Sequence, residues 1–173
     1  GHPGAHHGGH ANALVVVTDV TDPASVDALL ATHVARFSRL DLLVNNAGSF
    51  GPSADVGELG PADWQAVLAV NVTGAVLCAG AAFRQMSTQV PAGGRIVNNA
   101  SVSAQSPRPR SVAYTTTKHA ITGLTKSTAL EGAQHGIRVN AICPGYVRTP
   151  LVENQIADTA KARGISEAAV IRD

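Results

Sequence analysis

Short apolar runs alternate along the chain with longer segments in which apolar and polar residues are mixed. The runs have the length of buried strands, and the mixed segments have the length and apolar spacing of helices. The runs predict four strands, at residues 14–17, 41–44, 95–98 and 137–142. The mixed segments predict helices at residues 23–38, 62–86 and 111–134, and a helical tail that is broken at Gly164.

The alternation of strands with helices indicates the fold class. Strand–helix–strand units are almost always right-handed, so we expect an α/β fold with a doubly wound parallel sheet and helices on both faces. Such sheets bind ligands beyond the carboxyl ends of their strands. Polar or glycine-rich sequence follows each run, at Asp19, residues 45–48, residues 99–101 and residues 144–145. A functional site is therefore expected along that one edge.

The composition excludes several classes of protein. With 45% hydrophobic and 14% charged residues, the 173-residue chain is too apolar to be disordered. A formal net charge of +1 does not suit a nucleic-acid or lipid-surface binder that works by bulk charge. Cys78 and Cys143 lie far apart, and two thiols cannot form a disulfide scaffold. The chain is therefore expected to be one cytoplasmic domain.

Two segments have features of a membrane-spanning or a metal-binding element. Residues 66–83 carry no charge and just reach the length of a spanning helix, but they contain Asn71 and Thr73 and are better explained as a core helix. Residues 1–11 are rich in His and Gly and lack the apolar segment of a secretory signal. We expect a disordered leader rather than a metal site, and no membrane or nucleic-acid partner.

Tyr114 and Lys118 form the first candidate for chemistry. They are four residues apart in a predicted helix and therefore share one face. A phenol with a pKa of about 10 is a poor base at neutral pH, and a nearby ammonium group lowers that value. The pair can thus serve as a general acid and base. By itself, such a pair is more often an exposed polar face.

Ser101 and Asn71 each allow two interpretations. Ser101 follows the third strand, where its hydroxyl can bind either a substrate oxygen or its own loop. Asn71 lies within a helix, where a buried amide needs a partner. Bracing of the neighbouring backbone explains Asn71 as well as a water relay does.

Two further strings follow strands. Asn-Asn-Ala-Gly at residues 45–48 suits a backbone that approaches a flat ligand while its amides cross-link neighbouring strand ends. Pro144 and Gly145 form a tight turn, and the hydroxyl of Thr149 could meet a carboxamide or a phosphate.

In order and spacing, these residues resemble the short-chain dehydrogenase/reductase family over residues 12–160. The resemblance implies a Rossmann-like fold and an oxidoreductase that exchanges a hydride with NAD or NADP. It implies that Tyr114 donates and accepts the proton and that Lys118 lowers its pKa and holds the cofactor ribose. Ser101 would orient the substrate oxygen, and Asn71 would hold a water.

The resemblance also implies contacts to cofactor, substrate and partner. Besides Tyr114 and Lys118, the cofactor would be bound by Asp19, Val20, Asn46, Ala47, Gly48, Pro144, Gly145, Val147 and Thr149. The substrate, a small alcohol or ketone, would contact Ser101, Ser103, Tyr146 and Gln155. The helices at 62–86 and 111–134 resemble those that pair between subunits, which implies a homodimer or homotetramer.

Parts of the family pattern are missing. The phosphate-binding glycine turn after the first strand, the second strand and the last strand have no counterpart, so residues 12–173 are expected to form an incomplete dinucleotide-binding domain. The two missing strands would lie between the runs at 14–17 and 41–44. We therefore expect a truncated or internal fragment with poor dinucleotide binding, exposed edges and a tendency to associate.

The substrate is less well indicated. The tail resembles D-3-hydroxybutyrate dehydrogenases, including Gln155, whereas Phe50, Ser103 and Ser111 replace the glutamine, histidine and lysine of that group. Arg108 or Arg110 could supply a cation, but solvated loop arginines are the simpler reading. We expect a secondary alcohol and ketone pair, with a 3-hydroxybutyrate-like acid as a minor option. The alternative is an inactive fragment that keeps only the family's assembly surface.

Overall fold

The computed structural model describes residues 12–145, 153, 156–157, 160–161 and 164–172. The elements are α1 (Pro23–Phe37), β1 (Leu42–Asn45), α2 (Pro61–Leu68), a π-helical segment (Ala69–Gly74), α3 (Ala75–Thr88), β2 (Gly94–Asn99), a 3₁₀ turn (Val102–Ala104), α4 (Val112–Gly132), a second 3₁₀ turn (Ala133–His135), β3 (Ile137–Ile142) and α5 (Glu167–Arg172).

The described strands form one parallel sheet in the order β1-β2-β3. In its register, Leu43 lies opposite Ile96, and Ile96 lies opposite Val139. The expected fold class, a Rossmann-like α/β fold with an incomplete parallel sheet, is confirmed. Because all three strands run the same way, their carboxyl ends meet at one edge.

The predicted strand at residues 14–17 is wrong. This stretch is not part of the described sheet, and Val15 and Val17 are 91% and 97% exposed. A β-branched run favours an extended backbone, but a strand also needs a neighbour that can satisfy its hydrogen bonds. In the described residues, the sheet ends at β1 and offers this run no adjacent strand.

Helix α1 is set by local signals. The Asp22 carboxylate caps it by accepting hydrogen bonds from the Ala24 and Ser25 amides. Pro23, which follows, has a backbone angle suited to the first turn. Ser38 ends the helix with a φ of 68° and donates its amide to the Val34 carbonyl.

Helices α1, α3 and α4 pack on the same face of the sheet. Side chains from all three contact the cluster that contains Met86, Ile96 and Val139. Right-handed crossovers that move in one direction along a sheet place their helices on one side. The expected helices on both faces are thus found on one face among the described residues, and Leu42 and Val44, on the other, are each about half exposed.

The stretch Pro61–Thr88 is long and apolar enough to span a membrane, with a mean hydropathy of 2.0 in its most apolar window. Here it packs on the sheet through Ala82 and Met86, which are fully buried. The packing supplies the partner that an apolar core helix needs.

Candidate active site

Paired asparagines join the ends of β1 and β2. Asn45 donates from Nδ2 to Asn98 Oδ1 at 2.9 Å, and Asn99 donates from Nδ2 to Asn46 Oδ1 at 2.7 Å. The prediction that the 45–48 string cross-links adjacent strand ends is confirmed. These bonds fix the edge against which the other candidate residues lie.

Helix α4 brings Tyr114 and Lys118 to this edge. Lys118 is 6% exposed, and its ammonium donates to the Asn99 carbonyl at 2.7 Å and lies 5.4 Å from the centre of the Tyr114 ring. Burial lowers the pKa of Lys118, and interaction with the Cys143 thiol opposes that shift. The predicted shared face of the two residues is therefore present, with the lysine anchored to the end of β2.

The pKa of Tyr114 moves opposite to expectation. Burial raises it, while a hydrogen bond with Ser101 and the positive charge of Arg108 act to lower it. The net shift is upward, because removing the phenolate from water costs more than Ser101 and Arg108 offset, and the neighbours that lower the pKa are these two rather than Lys118, which the sequence suggested. Ser101 and Arg108 thus act on the Tyr114 hydroxyl.

Ser101 stands at the start of the 3₁₀ turn. Its Oγ accepts a hydrogen bond from the Ser103 amide at 3.1 Å, which is the loop-binding alternative for this residue, and it also meets Tyr114. Ser103, which was expected to contact the substrate, is only 2% exposed, and its side chain lies inside the protein. Its backbone amide donates to Ser101 and so helps to position that hydroxyl. Ser103 is therefore placed as a supporting residue.

Asn71 lies in the π-helical segment, which sequence periodicity did not reveal. Its Oδ1 accepts from the Ser49 amide at 2.7 Å, and its Nδ2 donates to the Ser49 carbonyl at 2.8 Å and to Thr117 Oγ1 at 3.0 Å. The side chain is 2% exposed. Of the two interpretations, these contacts support bracing, and π-helical bulges are frequent at functional sites.

Phe50 is a site residue that the sequence indicated only as a difference from the glutamine of D-3-hydroxybutyrate dehydrogenases. Its ring centre lies 4.4 Å from that of Tyr114, with the planes tilted by 49°. A residue in a loop can reach a helix 64 positions away only through the fold. Its position two residues after the Asn-Asn-Ala-Gly string at 45–48 was the signal in the sequence that could have found it.

Gly48 is exposed and lies beside Lys118 and Asn71. A Cβ placed there would sit 3.5 Å from Asn71 Oδ1 and 3.8 Å from Lys118 Nζ, so a side chain would fill the space next to the ammonium. Asn46, Ala47 and Gly48 are all exposed along this space. An exposed backbone without a side chain, next to an ammonium group, leaves room for a hydroxyl-bearing ligand such as a ribose.

The other expected cofactor residues have different placements. Asp19 accepts hydrogen bonds from the amide and hydroxyl of Thr21, which lower the pKa of its carboxyl. Val20 packs against Gly74, where a Cβ would approach within 2.8 Å of the Val20 side chain. The Pro144 carbonyl accepts from the Val102 amide at 3.0 Å. Gly145 is exposed at the end of that segment.

Several expected residues lie outside the described residues: Tyr146, Val147, Thr149 and Gln155. Of the two loop arginines, Arg110 pairs with Asp55 at 2.6 Å, and Arg108 is the one whose charge acts on Tyr114. The described part of the chain contains no group of three His, Cys, Asp or Glu side chains that could hold a metal ion.

Comparison with curated proteins gives close relatives. The chain is 41% identical over 156 residues to a D-beta-hydroxybutyrate dehydrogenase of Rhizobium meliloti, covering 90% of this chain and 59% of the relative. It is 44% identical over 150 residues to a cis-4-hydroxycyclohexanecarboxylate dehydrogenase of Sinomonas cyclohexanicum, covering 87% and 59%. The chain thus spans somewhat more than half the length of these relatives.

Solved structures agree with these relatives. An NAD+-bound xylitol dehydrogenase is 41% identical with a TM-score of 0.80, over 84% of this chain and 56% of that one. A levodione reductase is 34% identical with a TM-score of 0.80, over 83% and 55%. Residues 4–160 match the sequence model of the short chain dehydrogenase family. The chain therefore belongs to the short-chain dehydrogenase family.

Proposed function

We propose that the chain carries the catalytic part of an NAD(P)-dependent oxidoreductase that interconverts a secondary alcohol and a ketone. The observation that carries this proposal is the arrangement of Tyr114, Ser101 and Lys118 at one edge of the sheet. Ser101 acts on the phenol and lowers its pKa against the effect of burial, and the lysine is held beside its ring by the Asn99 carbonyl. This arrangement suits proton exchange with a substrate oxygen.

Each residue has a chemical role in this proposal. In the direction of oxidation, the Tyr114 oxygen takes the proton of the substrate hydroxyl, and Ser101 donates a hydrogen bond that orients the same oxygen. The ammonium of Lys118 stabilises the phenolate, because opposite charges attract strongly where water is excluded. Asn71 holds the Ser49 backbone and the Thr117 side chain in place, and so positions both α4 and the loop before Phe50.

The exposed backbone of Gly48 next to the Lys118 ammonium supports a nicotinamide dinucleotide as the cofactor. Lys118 would bind ribose hydroxyls there, beside the backbone of Asn46, Ala47 and Gly48. The nicotinamide end of the cofactor would be contacted by Pro144, Gly145, Val147 and Thr149, and the adenine end by Asp19 and Val20. When bound, the nicotinamide ring supplies or accepts the hydride. Similar solved structures contain NAD+, NADP or NADH, which supports either NAD or NADP as the cofactor of this chain.

The substrate proposal is a small secondary alcohol. Relatives are named for a hydroxybutyrate and for a hydroxycyclohexanecarboxylate, so a hydroxy acid is one candidate. Outside the described residues, Tyr146 and Gln155 would complete the substrate site.

We also propose a cytoplasmic homodimer or homotetramer. Exposed apolar residues on α3 and α4, Val76 at 46% and Leu130 at 81%, support pairing of these helices between subunits.

Fluorescence titration with NADH and NADPH tests the proposal first, followed by oxidation of secondary alcohols. Tyr114→Phe should abolish oxidation and leave cofactor affinity nearly unchanged, whereas Ser127→Ala, which removes an exposed hydroxyl from the same helix, should change neither. Turnover that survives Tyr114→Phe would exclude Tyr114 as the proton carrier. The alternative, a chain that keeps the family's assembly surface without turnover, predicts association in solution with no binding of NADH or NADPH.

A further inference from the structure

The ring of Phe50 is held against the ring of Tyr114 by the residues on either side of it. On one side, the Ser49 amide and carbonyl both bond the Asn71 side chain, at 2.7 and 2.8 Å. On the other side, Gly51 has a φ of 68°, and a Cβ there would collide with the Val67 side chain. The two bonds of Ser49 fix the backbone directly before Phe50, and the close approach of Val67 to Gly51 limits the space directly after it.

This clamp places an apolar surface beside the candidate proton carrier. The ring centres of Phe50 and Tyr114 are 4.4 Å apart, and Phe50 is itself only partly buried, so part of its surface faces outward. The hydroxyl end of Tyr114 meets Ser101. A substrate whose oxygen lies between Ser101 and Tyr114 therefore places its carbon skeleton within reach of the Phe50 ring.

The nearby polar side chains are largely engaged elsewhere. The Ser111 hydroxyl donates to the Arg108 carbonyl at 2.7 Å, and Ser103 is buried. Arg108 is the group that favours a carboxylate, because its charge acts on Tyr114. Its side chain is exposed overall, although partial burial lowers the pKa of its guanidinium, so its attraction for a carboxylate is partly weakened by water and salt. Contact with the aromatic ring is not weakened in this way.

We propose that Phe50 is a specificity-determining residue that selects a secondary alcohol on an uncharged alicyclic skeleton over a small hydroxy acid. The inference rests on the proposed function, because it takes Tyr114 and Ser101 as the residues that meet the substrate oxygen. It goes further because it assigns the choice of substrate class to one side chain, and because it expects a hydroxybutyrate to bind more weakly than an alicyclic alcohol.

Saturation-transfer NMR on the full chain tests this directly, with cyclohexanol and 3-hydroxybutyrate as probes, each with and without NADH. Because an alcohol and NADH do not react, turnover is not needed for the measurement. Wild type should bind cyclohexanol more tightly than 3-hydroxybutyrate. Phe50→Ala should weaken cyclohexanol binding about tenfold and leave 3-hydroxybutyrate unchanged, and Phe50→Leu should retain most of the affinity.

Phe37→Ala, which removes a ring that contacts His33 at 5.0 Å, is the matched control and should leave both probes unchanged. The proposal is overturned if Phe50→Ala binds cyclohexanol as wild type does, if wild type prefers 3-hydroxybutyrate, or if cyclohexanol does not bind at all. Should Phe50→Ala fail to fold by circular dichroism, Phe50→Asn and Phe50→Leu decide the same question. Failure of the proposed function shows separately, as alcohol oxidation that survives Tyr114→Phe.

Discussion

Thr117 Oγ1 accepts a hydrogen bond from Asn71 Nδ2 at 3.0 Å and donates one to the Tyr114 carbonyl at 2.8 Å. The Thr117 side chain has no exposed surface. Through these two bonds, the π-helical segment is joined to the first turn of α4. The position of Tyr114 therefore depends on Asn71, which reaches it through Thr117.

Asn71→Ala should lower the free energy of unfolding by about 2–3 kcal/mol, since three hydrogen bonds are lost and a buried hydroxyl and a backbone amide lose a partner. Urea denaturation measures the change. Asn140→Ala, at an exposed position on β3, is the control and should stay within about 0.5 kcal/mol of wild type. An Asn71 variant as stable as this control would favour the water relay over bracing.

Gly48→Val should weaken NADH binding at least about tenfold, since its side chain would occupy the space next to Lys118 Nζ. Fluorescence titration of the reduced cofactor measures the loss. Gly57→Val, where a Cβ meets nothing within 4 Å, should bind as wild type does. Equal affinity of the two variants would place the cofactor elsewhere.

Two glycines of α4 should respond oppositely to alanine. Gly123 is exposed with nothing within 4 Å of a Cβ, so Gly123→Ala should stabilise the protein by about 0.5–1 kcal/mol. At Gly132 a Cβ would lie 2.9 Å from the Ile137 carbonyl oxygen, so Gly132→Ala should destabilise it. Thermal unfolding of both variants checks the signs, and stabilisation by Gly132→Ala would contradict this packing of α4 on β3.

The raised pKa of Tyr114 should make the protein sensitive to alkaline pH. The folded state keeps the phenolic proton to a higher pH than the unfolded chain does, so the contribution of Tyr114 to stability is complete below about pH 10 and is lost as the pH rises through the folded pKa. Between about pH 9 and 11, wild type should lose more stability in urea than Tyr114→Phe. Lys118, whose lowered pKa acts in the opposite sense, is common to both proteins. Parallel pH profiles would show that Tyr114 does not have a raised pKa.

The edge of β1 should promote association. Val44 is 52% exposed on a strand that pairs only with β2 among the described strands, and such edges readily accept another chain. Val44→Lys should therefore reduce light scattering at high protein concentration. Val56→Lys, at a position that is 77% exposed and lies outside the strands, is the matched control and should have little effect. The idea fails if both substitutions reduce scattering equally.

Local signals were enough to predict most elements. Asp22 and Pro23 marked the start of α1, and the strand predicted at 137–142 coincides with β3. Capping and hydrophobic spacing act between near neighbours, so they can be read directly from the chain. The same holds for Asn45 and Asn46, whose bonds to the next strand follow from their place at a strand end.

Features that depend on distant residues were not predictable in this way. The run at 14–17 has strand-like composition, but its membership of a sheet depends on a neighbouring strand. The contact of Phe50 with Tyr114 depends on the path of a loop. The pKa of Tyr114 depends on how deeply the fold buries it, which a four-residue spacing from Lys118 does not reveal.

The π-helical segment has a consequence for how this protein tolerates change. Each residue advances an α-helix by about 100°, and a π-helical turn by less, so a change of length within Ala69–Gly74 would rotate α3 about its axis relative to α2. Met86 and Ala82 would then point away from the sheet. Outside Asn71 and Gly74, which are buried, we therefore expect this stretch to accept exchanges of one side chain for another in an evolving lineage more readily than a change of length.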